Sequence, residues 1–360
     1  MFPALRANLD APAPAMEQRS FTAPSRTVAR GTRPVAAAEA LQLGSVYRAV
    51  NLITTAIKQL PLHVYVNGEK QPANTFISQP DPRLSRAAFL EQTGTALALN
   101  GNAFWRLGRN ARGEVVTAEN LNPEFVTIET DTEGRTIAYE YQGSKRYNVD
   151  EIQHLAIFRV PGRSRGLAPI EAANLELRGN LDLQNYTGNW FVAGGVPNGY
   201  LSTPNFITAD DAATSKAEWN ETASAANGVA VLGNDLKFEK TGLTPAEALA
   251  GDLRKLAATE VARLFGVPAS LMLADAGSSL TYSNVNQEWL AWVRFGITTY
   301  TLEIESALTA ITPRGREVKF NYDALLRADT LTRYQAHSIA LGGEAWATVE
   351  EIRALEDMKG

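Results

Sequence analysis

Val46, Val50, Ile53, Ile57 and Leu60 recur at alternating steps of four and three, which sets them on one face of a helix. Ser45 stands at the N-cap position, where a hydroxyl accepts a free backbone N–H, and Pro61 ends the run. The period then drops to two: Leu62, Val64 and Val66 alternate with His63 and Tyr65, and Asn67-Gly68 supplies the positive-φ pair of a tight hairpin. The same order repeats downstream. A helix capped at Ser85 turns Phe89, Leu90, Thr93 and Leu97 inward and stops at Gly101; Ala103 to Leu107 and Glu114 to Thr117 follow as strands joined at Asn110 to Gly113. Strand alternation sends Phe104 and Trp105 to opposite faces, so they cannot form one stacking site. Further short strands are predicted at Phe125 to Thr130, Thr136 to Tyr141, Lys145 to Asn148 and Ile152 to Phe158. Helices and strands are segregated, which predicts an α+β fold rather than a doubly wound sheet.

From Pro169, a residue suited to a first helical position, long helices take over. The first runs to Trp190 and Phe191 before Gly194-Gly195. A small mixed region covers Val196 to Thr241, where "VAVLGNDLKF" predicts a strand pair about Gly233-Asn234. Leu249, Leu253, Leu256, Val261 and Leu264 mark the next helix, ended at "FGVP". Leu290, Val293, Ile297, Tyr300, Ile304 and Leu308 mark another of many turns. "REVKFNYD" predicts a strand, followed by a helix through Leu341, a Gly342-Gly343 stop and a capping box in "TVEE". Up to Pro34 the chain is rich in Pro, Ala and Arg without apolar period. This predicts a disordered arm, whose basic character also suits a transit peptide or contact with nucleic acid.

Composition removes several chemistries. The 360 residues include no cysteine, so disulfides, thiolate metal sites and cysteine nucleophiles are excluded. The three histidines, His63, His154 and His337, lack metal-ligand spacing. No apolar run is long enough to cross a bilayer and no secretory signal opens the chain, which predicts a soluble, cytosolic protein. Net charge is −5, and no Lys/Arg block tracks a phosphate backbone. Tight sequence-specific DNA binding is disfavoured, whereas a weakly charged wall along which DNA slides is compatible with this composition.

Gly162-Arg163-Ser164-Arg165-Gly166 has the G-x-S-x-G form of a hydrolase nucleophile elbow, and Asp323 or Asp329 with His337 completes the order Ser, Asp, His. Pro161 just before the turn, the lack of a doubly wound sheet and the lack of a glycine-rich oxyanion loop favour a plain strand-to-helix loop instead. His154, on a predicted strand, reads as a satisfied structural residue rather than a base. Asp150/Glu151 point to opposite faces of a strand, and Asp210/Asp211 are ordinary partners of a helix start. Trp289, Trp292 and Phe295 read first as packing, with part of their broad apolar helix meeting another subunit. Asp275-Ala276-Gly277-Ser278-Ser279 reads as a flexible connector between two long helices, and its length and place also suit a loop projecting into a cavity.

Taken in order, "VYRAVNLITTAIKQLPLHVY", "PDPRLSRAAFLEQTGTALALNGNAFW", "DEIQHL", "GLAPIEAA", "VAVLGNDLKFEK", "VARLFGVPASLML", "TYSNVNQEWLAW" and "FNYDALLRADTLTRYQA" with "TVEEIRALEDM" resemble the HK97-type portal proteins of tailed bacteriophages. One departure is "TVEEIR", where family members commonly show Thr-Asn-Glu before the Arg.

The resemblance implies a phage portal fold, with an α+β wing over residues 35–168 and a stem helix over 169–195. A small mixed clip over 196–244 and a second stem helix over 245–266 follow. A tunnel loop over 267–283 then leads back to the wing through a long helix and strand over 284–322, and a short helical crown covers 323–360. The basic arm of 1–34 stands outside this plan. The implied function is a dodecameric ring of this chain at one capsid vertex, the channel for double-stranded DNA packaging and ejection. Its implied partners are the large terminase subunit, the head–tail adaptor, the major capsid protein, and duplex DNA passing without sequence specificity. The portal is not an enzyme and takes no cofactor, metal or membrane. Its implied place is the virion, with the host cytoplasm during assembly. Ala269 to Ser283 would face DNA, with Asp275, Ala276, Gly277, Ser278 and Ser279 as channel residues and Trp289, Trp292 and Phe295 at the subunit interface. Two other readings stay open on the residues alone: an esterase using Ser164, and a head–tail connector ring that lacks the terminase contact.

Overall fold

A computed structural model of the chain describes residues 33–192, 199–204, 208–224, 235–240, 250–272, 282–322, 325, 330–342 and 346–355. Helices α1 (Ala37–Ala40) and α2 (Gly44–Gln59) lead into strands β1 (Leu62–Val66) and β2 (Glu69–Gln71). Helices α3 (Thr75–Ser78) and α4 (Arg86–Asn100) precede β3 (Asn102–Arg109), β4 (Val115–Leu121), β5 (Val126–Thr130), β6 (Thr136–Tyr141), β7 (Lys145–Asn148) and β8 (Ile152–Ala156). Then come α5 (Pro169–Ala172), α6 (Asn174–Val192), β9 (Gly199–Ser202), α7 (Ala209–Ser224), β10 (Lys237–Lys240) and α8 (Ala250–Phe265). Helix α9 (Tyr282–Ala291), a π turn over Trp292–Ile297, α10 (Thr298–Ile311) and β11 (Arg316–Phe320) follow, with helices Thr330–Leu341 and Val349–Leu355 after them. The fold is α+β.

The apolar stripe of α2 is buried in the main core. Ser45, however, does not cap the helix. The N-cap is Leu43, which makes no side-chain cap bond and is itself buried, so apolar anchoring sets the helix start in place of a hydroxyl. Asn67 and Gly68 take φ of 52° and 85°, as the β1–β2 hairpin needs. On its other edge β1 pairs antiparallel with β11, Leu62 opposite Phe320 and Val64 opposite Val318.

Ser85 Oγ accepts from the Ala88 N–H at 3.2 Å, and Gly101 at φ 65° ends α4. Strands β4, β3 and β8 form one antiparallel sheet in that order, and β5, β6 and β7 a second. Phe104 and Trp105 do face opposite ways, into two separate cores. Trp105 stacks obliquely on Phe89 in the main core, with centroids 5.2 Å apart, and donates its indole N–H to Thr93 Oγ1 at 3.0 Å. Phe104 joins Leu121, Val126, Tyr139 and Ile152 between the two sheets.

Helix α10 binds both halves of this unit through side chains that satisfy strand-edge amides. Glu303 Oε1 accepts from the Ala156 N–H at 2.9 Å, Glu305 Oε1 from the Phe320 N–H at 2.7 Å, and Thr309 Oγ1 from the Val318 N–H at 3.0 Å. These edges of β8 and β11 are therefore closed by the helix.

Pro169 does open a helix, but Ala173 at φ −101° and ψ 24° divides the predicted segment into α5 and α6. Strand β10 pairs antiparallel with β9, Phe238 opposite Leu201, with α7 between them in sequence. The other arm predicted for it, 229–232, and both Gly194 and Gly195 lie outside the described residues. Thr348 and Glu351 form the expected capping box, at 2.8 Å and 3.2 Å in its two directions.

Candidate channel and subunit surfaces

Asp275, Ala276, Gly277, Ser278 and Ser279 lie outside the described residues, but the roots of their segment are described. Helix α8 ends in a Schellman turn: Gly266 at φ 64° donates to Arg263 O at 3.2 Å, and Val267 donates to Ala262 O at 2.9 Å. The chain then runs through Leu271, whose carbonyl accepts from Arg48 Nη2 of α2 at 3.1 Å, to the buried Met272. Ser270 Oγ donates to Glu288 Oε2 of α9 at 2.7 Å, tying the outgoing root to the returning helix. Both described roots of the segment are thus tied down by side-chain bonds.

The three aromatics proposed for a subunit interface have different fates. Trp292 is 3% exposed and packs inside this chain's own core, so it presents no surface to a neighbour. Its indole N–H finds no acceptor among the described residues. Trp289 is partly buried against it, with ring centroids 5.1 Å apart, and donates to Leu325 O at 2.8 Å. Phe295 alone stands out in solvent, 79% exposed. The π turn separates these fates by burying Trp292, Val293, Gly296 and Ile297 on one side. Gly296 lies against the end of α8, where a Cβ would come within 2.8 Å of Gly266 O.

The G-x-S-x-G segment is built as a clamp. Arg165 donates to Val126 O at 2.8 Å and to Pro123 O at 2.7 Å, with its guanidinium 5.3 Å from the Phe104 ring centre. Arg163 pairs with Glu171 at 2.8 Å. Asn102 bonds Gly166 twice: Oδ1 accepts from its N–H at 2.8 Å, and Nδ2 donates to its carbonyl at 3.0 Å. Gly166 has no room for a side chain, since a Cβ would collide with Ile157 O and sit 2.7 Å from Gly101 O. Ser164 is exposed on this clamp, and Asp323 and Asp329 lie outside the described residues. His154 Nε2 lies 3.0 Å from Asn102 Oδ1, and its ring stacks on Phe104. Burial, helped by Arg159 and Arg165, pulls its pKa down to about 3, far too weak for a general base at neutral pH. Asp211 forms a capping box with Thr208, the ordinary helix-start role.

Leu177 and Leu181 of α6 and Val261 and Ala262 of α8 are buried in the main core, and Arg254 bonds Thr187 across the two helices. Their outer side keeps Leu253 and Leu256 exposed in a groove of about 270 Å³ with Leu183. The N-terminal approach is tied to α6 by Val35 N–H to Asn174 Oδ1 at 2.7 Å and Arg178 to Glu39 at 2.7 Å. Among the described residues, no group of three or more His, Asp or Glu could hold a metal ion, and no helix is long and apolar enough to cross a membrane.

The sequence model of the phage portal protein family matches residues 45–357. A probable portal protein of Streptomyces phage phiC31 is 27% identical, over 92% of this chain and 78% of its own length. The crystal structure of an HK97-family phage portal protein from Corynebacterium diphtheriae superposes with a TM-score of 0.66 at 21% identity, covering 82% of this chain and 98% of that one. A chain of a gene transfer agent neck computed with C12 symmetry superposes with a TM-score of 0.59 at 19% identity, covering 92% and 97%. With its family match running from the first long helix almost to the C-terminus, this chain belongs to the phage portal protein family.

Proposed function

We propose that the chain assembles into a dodecameric ring at one capsid vertex and that double-stranded DNA passes through the ring during packaging and ejection. The large terminase subunit docks on it while DNA enters and the head–tail adaptor takes that place afterwards, with the major capsid protein around it. The ring is built in the host cytoplasm and resides in the virion. It performs no chemistry of its own. The observation that carries this reading is the family match, supported by the likeness over 92% of the chain to a subunit of a C12 particle neck.

In this reading residues 35–168 and 284–322 make the wing, 169–195 and 245–266 the stem, 196–244 the clip, 267–283 the tunnel loop and 323–360 the crown. The tight root of the loop suits a segment that must hold its position while DNA moves. Its sequence from 275 to 279 carries one carboxylate and no Lys or Arg, so phosphates pass with little grip. Lysine at both positions, Ser278→Lys with Ser279→Lys, is expected to slow or stall packaging in a translocation assay while rings still assemble. Unchanged packaging by assembled variant rings would contradict the tunnel assignment.

A further inference from the structure

We propose that Phe158 and Phe295 frame a socket that receives an apolar side chain from a second copy of this chain, making it one side of the contact that closes the ring. The proposal rests on the ring reading above. Two separate departures from ordinary backbone geometry hold these phenylalanines in water. Phe158 has φ 47°, a left-handed conformation unfavourable for a bulky side chain, and its ring is 72% exposed. That turn is fixed from both sides, by Ile157 N–H on Gly101 O at 3.0 Å and Leu167 N–H on Phe158 O at 3.2 Å. Phe295 is turned out by the π segment while its neighbours Trp292, Val293, Gly296 and Ile297 stay buried.

Both rings border one cavity of about 360 Å³, with Ile157, Leu167, Pro169, Leu264 and Phe265 among its apolar lining. It lies where α5, the end of α8 and the π turn meet. A strained turn at Phe158 and a π turn at Phe295, each exposing an aromatic ring over an apolar hollow, have no use in an isolated chain. A heterologous ring, in contrast, needs one such receiving surface on every subunit.

The Phe158 position allows a clean test, because Phe158→Gly removes the ring and also relieves the backbone, glycine accepting this φ without penalty. The double variant Phe158→Gly with Phe295→Ser should therefore melt no lower than the parent as a monomer. In sedimentation velocity it is expected to need at least tenfold more protein than the parent to form rings. Because the chain has no cysteine, Thr299→Cys places a single thiol on the cavity wall with both phenylalanines intact. That thiol should react with maleimide at least tenfold more slowly in rings than in dissociated chains. Parental assembly by the double variant, or equal thiol reactivity in the two states, overturns the socket and leaves the ring reading standing. A parent that remains monomeric at every concentration overturns both.

Discussion

Asn102 uses every hydrogen-bonding site on its amide: Oδ1 faces the Gly166 N–H and His154 Nε2, and Nδ2 donates to the carbonyls of Asn100 and Gly166. Since Oδ1 can only accept, the neutral His154 carries its proton on Nε2. Asn102→Ala leaves several buried polar groups without partners, and at about 1–3 kcal/mol each the total loss should exceed about 3 kcal/mol in a urea titration. A loss under about 1 kcal/mol would mean that water replaces the amide. His154 adds a pH dependence. Its folded pKa of about 3 lies below the unfolded 6.5, so between these values only the unfolded chain takes the proton, and stability falls as pH drops. Between pH 6.5 and 5, above the carboxylate range, the parent should lose up to about 1.4 kcal/mol per unit that His154→Gln does not lose. Equal slopes for the two proteins would contradict a buried neutral imidazole. At this scale the sequence showed what is local: Gly101 as a helix end, and Phe104 and Trp105 on opposite faces. The partner of Asn102 was hidden, because Gly166 is distant in the chain and a glycine's backbone gives no pattern to read.

Among elements, period was legible wherever one face met one core, as on α2, α4 and the β1–β2 hairpin. It failed where burial and surface alternate within a single turn. Trp289, Trp292 and Phe295 fall on a common apolar arc at helical spacing, yet the π turn inserts a residue and leaves only Phe295 outside. Two helical glycines separate tight packing from mere proximity. At Gly94 a Cβ would meet the flexible Ile57 Cδ1 at 3.1 Å, a contact that can give, and alanine gains up to about 1 kcal/mol of helix propensity. At Gly296 it would meet the Trp292 ring and the Gly266 carbonyl, neither of which can move freely. Gly94→Ala should therefore be within about 1 kcal/mol of the parent, and Gly296→Ala should cost about 1–3 kcal/mol, by denaturation midpoints. The reverse ranking would show that the α8–π contact is loose.

At the scale of the whole molecule, the pairing of β1 with β11 joins the two ends of the described α+β unit, and α10 fastens both sheets through Glu303, Glu305 and Thr309. Periodicity identifies a buried face but does not say which distant strand covers it, so this closure was not readable residue by residue. The order of many short segments was readable, and it pointed to the family that the match over 45–357 establishes. The proposed channel residues 275–279 lie outside the described residues, between roots held by Arg48 and Glu288. Electron microscopy of the purified chain decides between ring and monomer: rings of twelve subunits around a channel wide enough for duplex DNA are expected, and a compact monomer at all concentrations would contradict the portal ring.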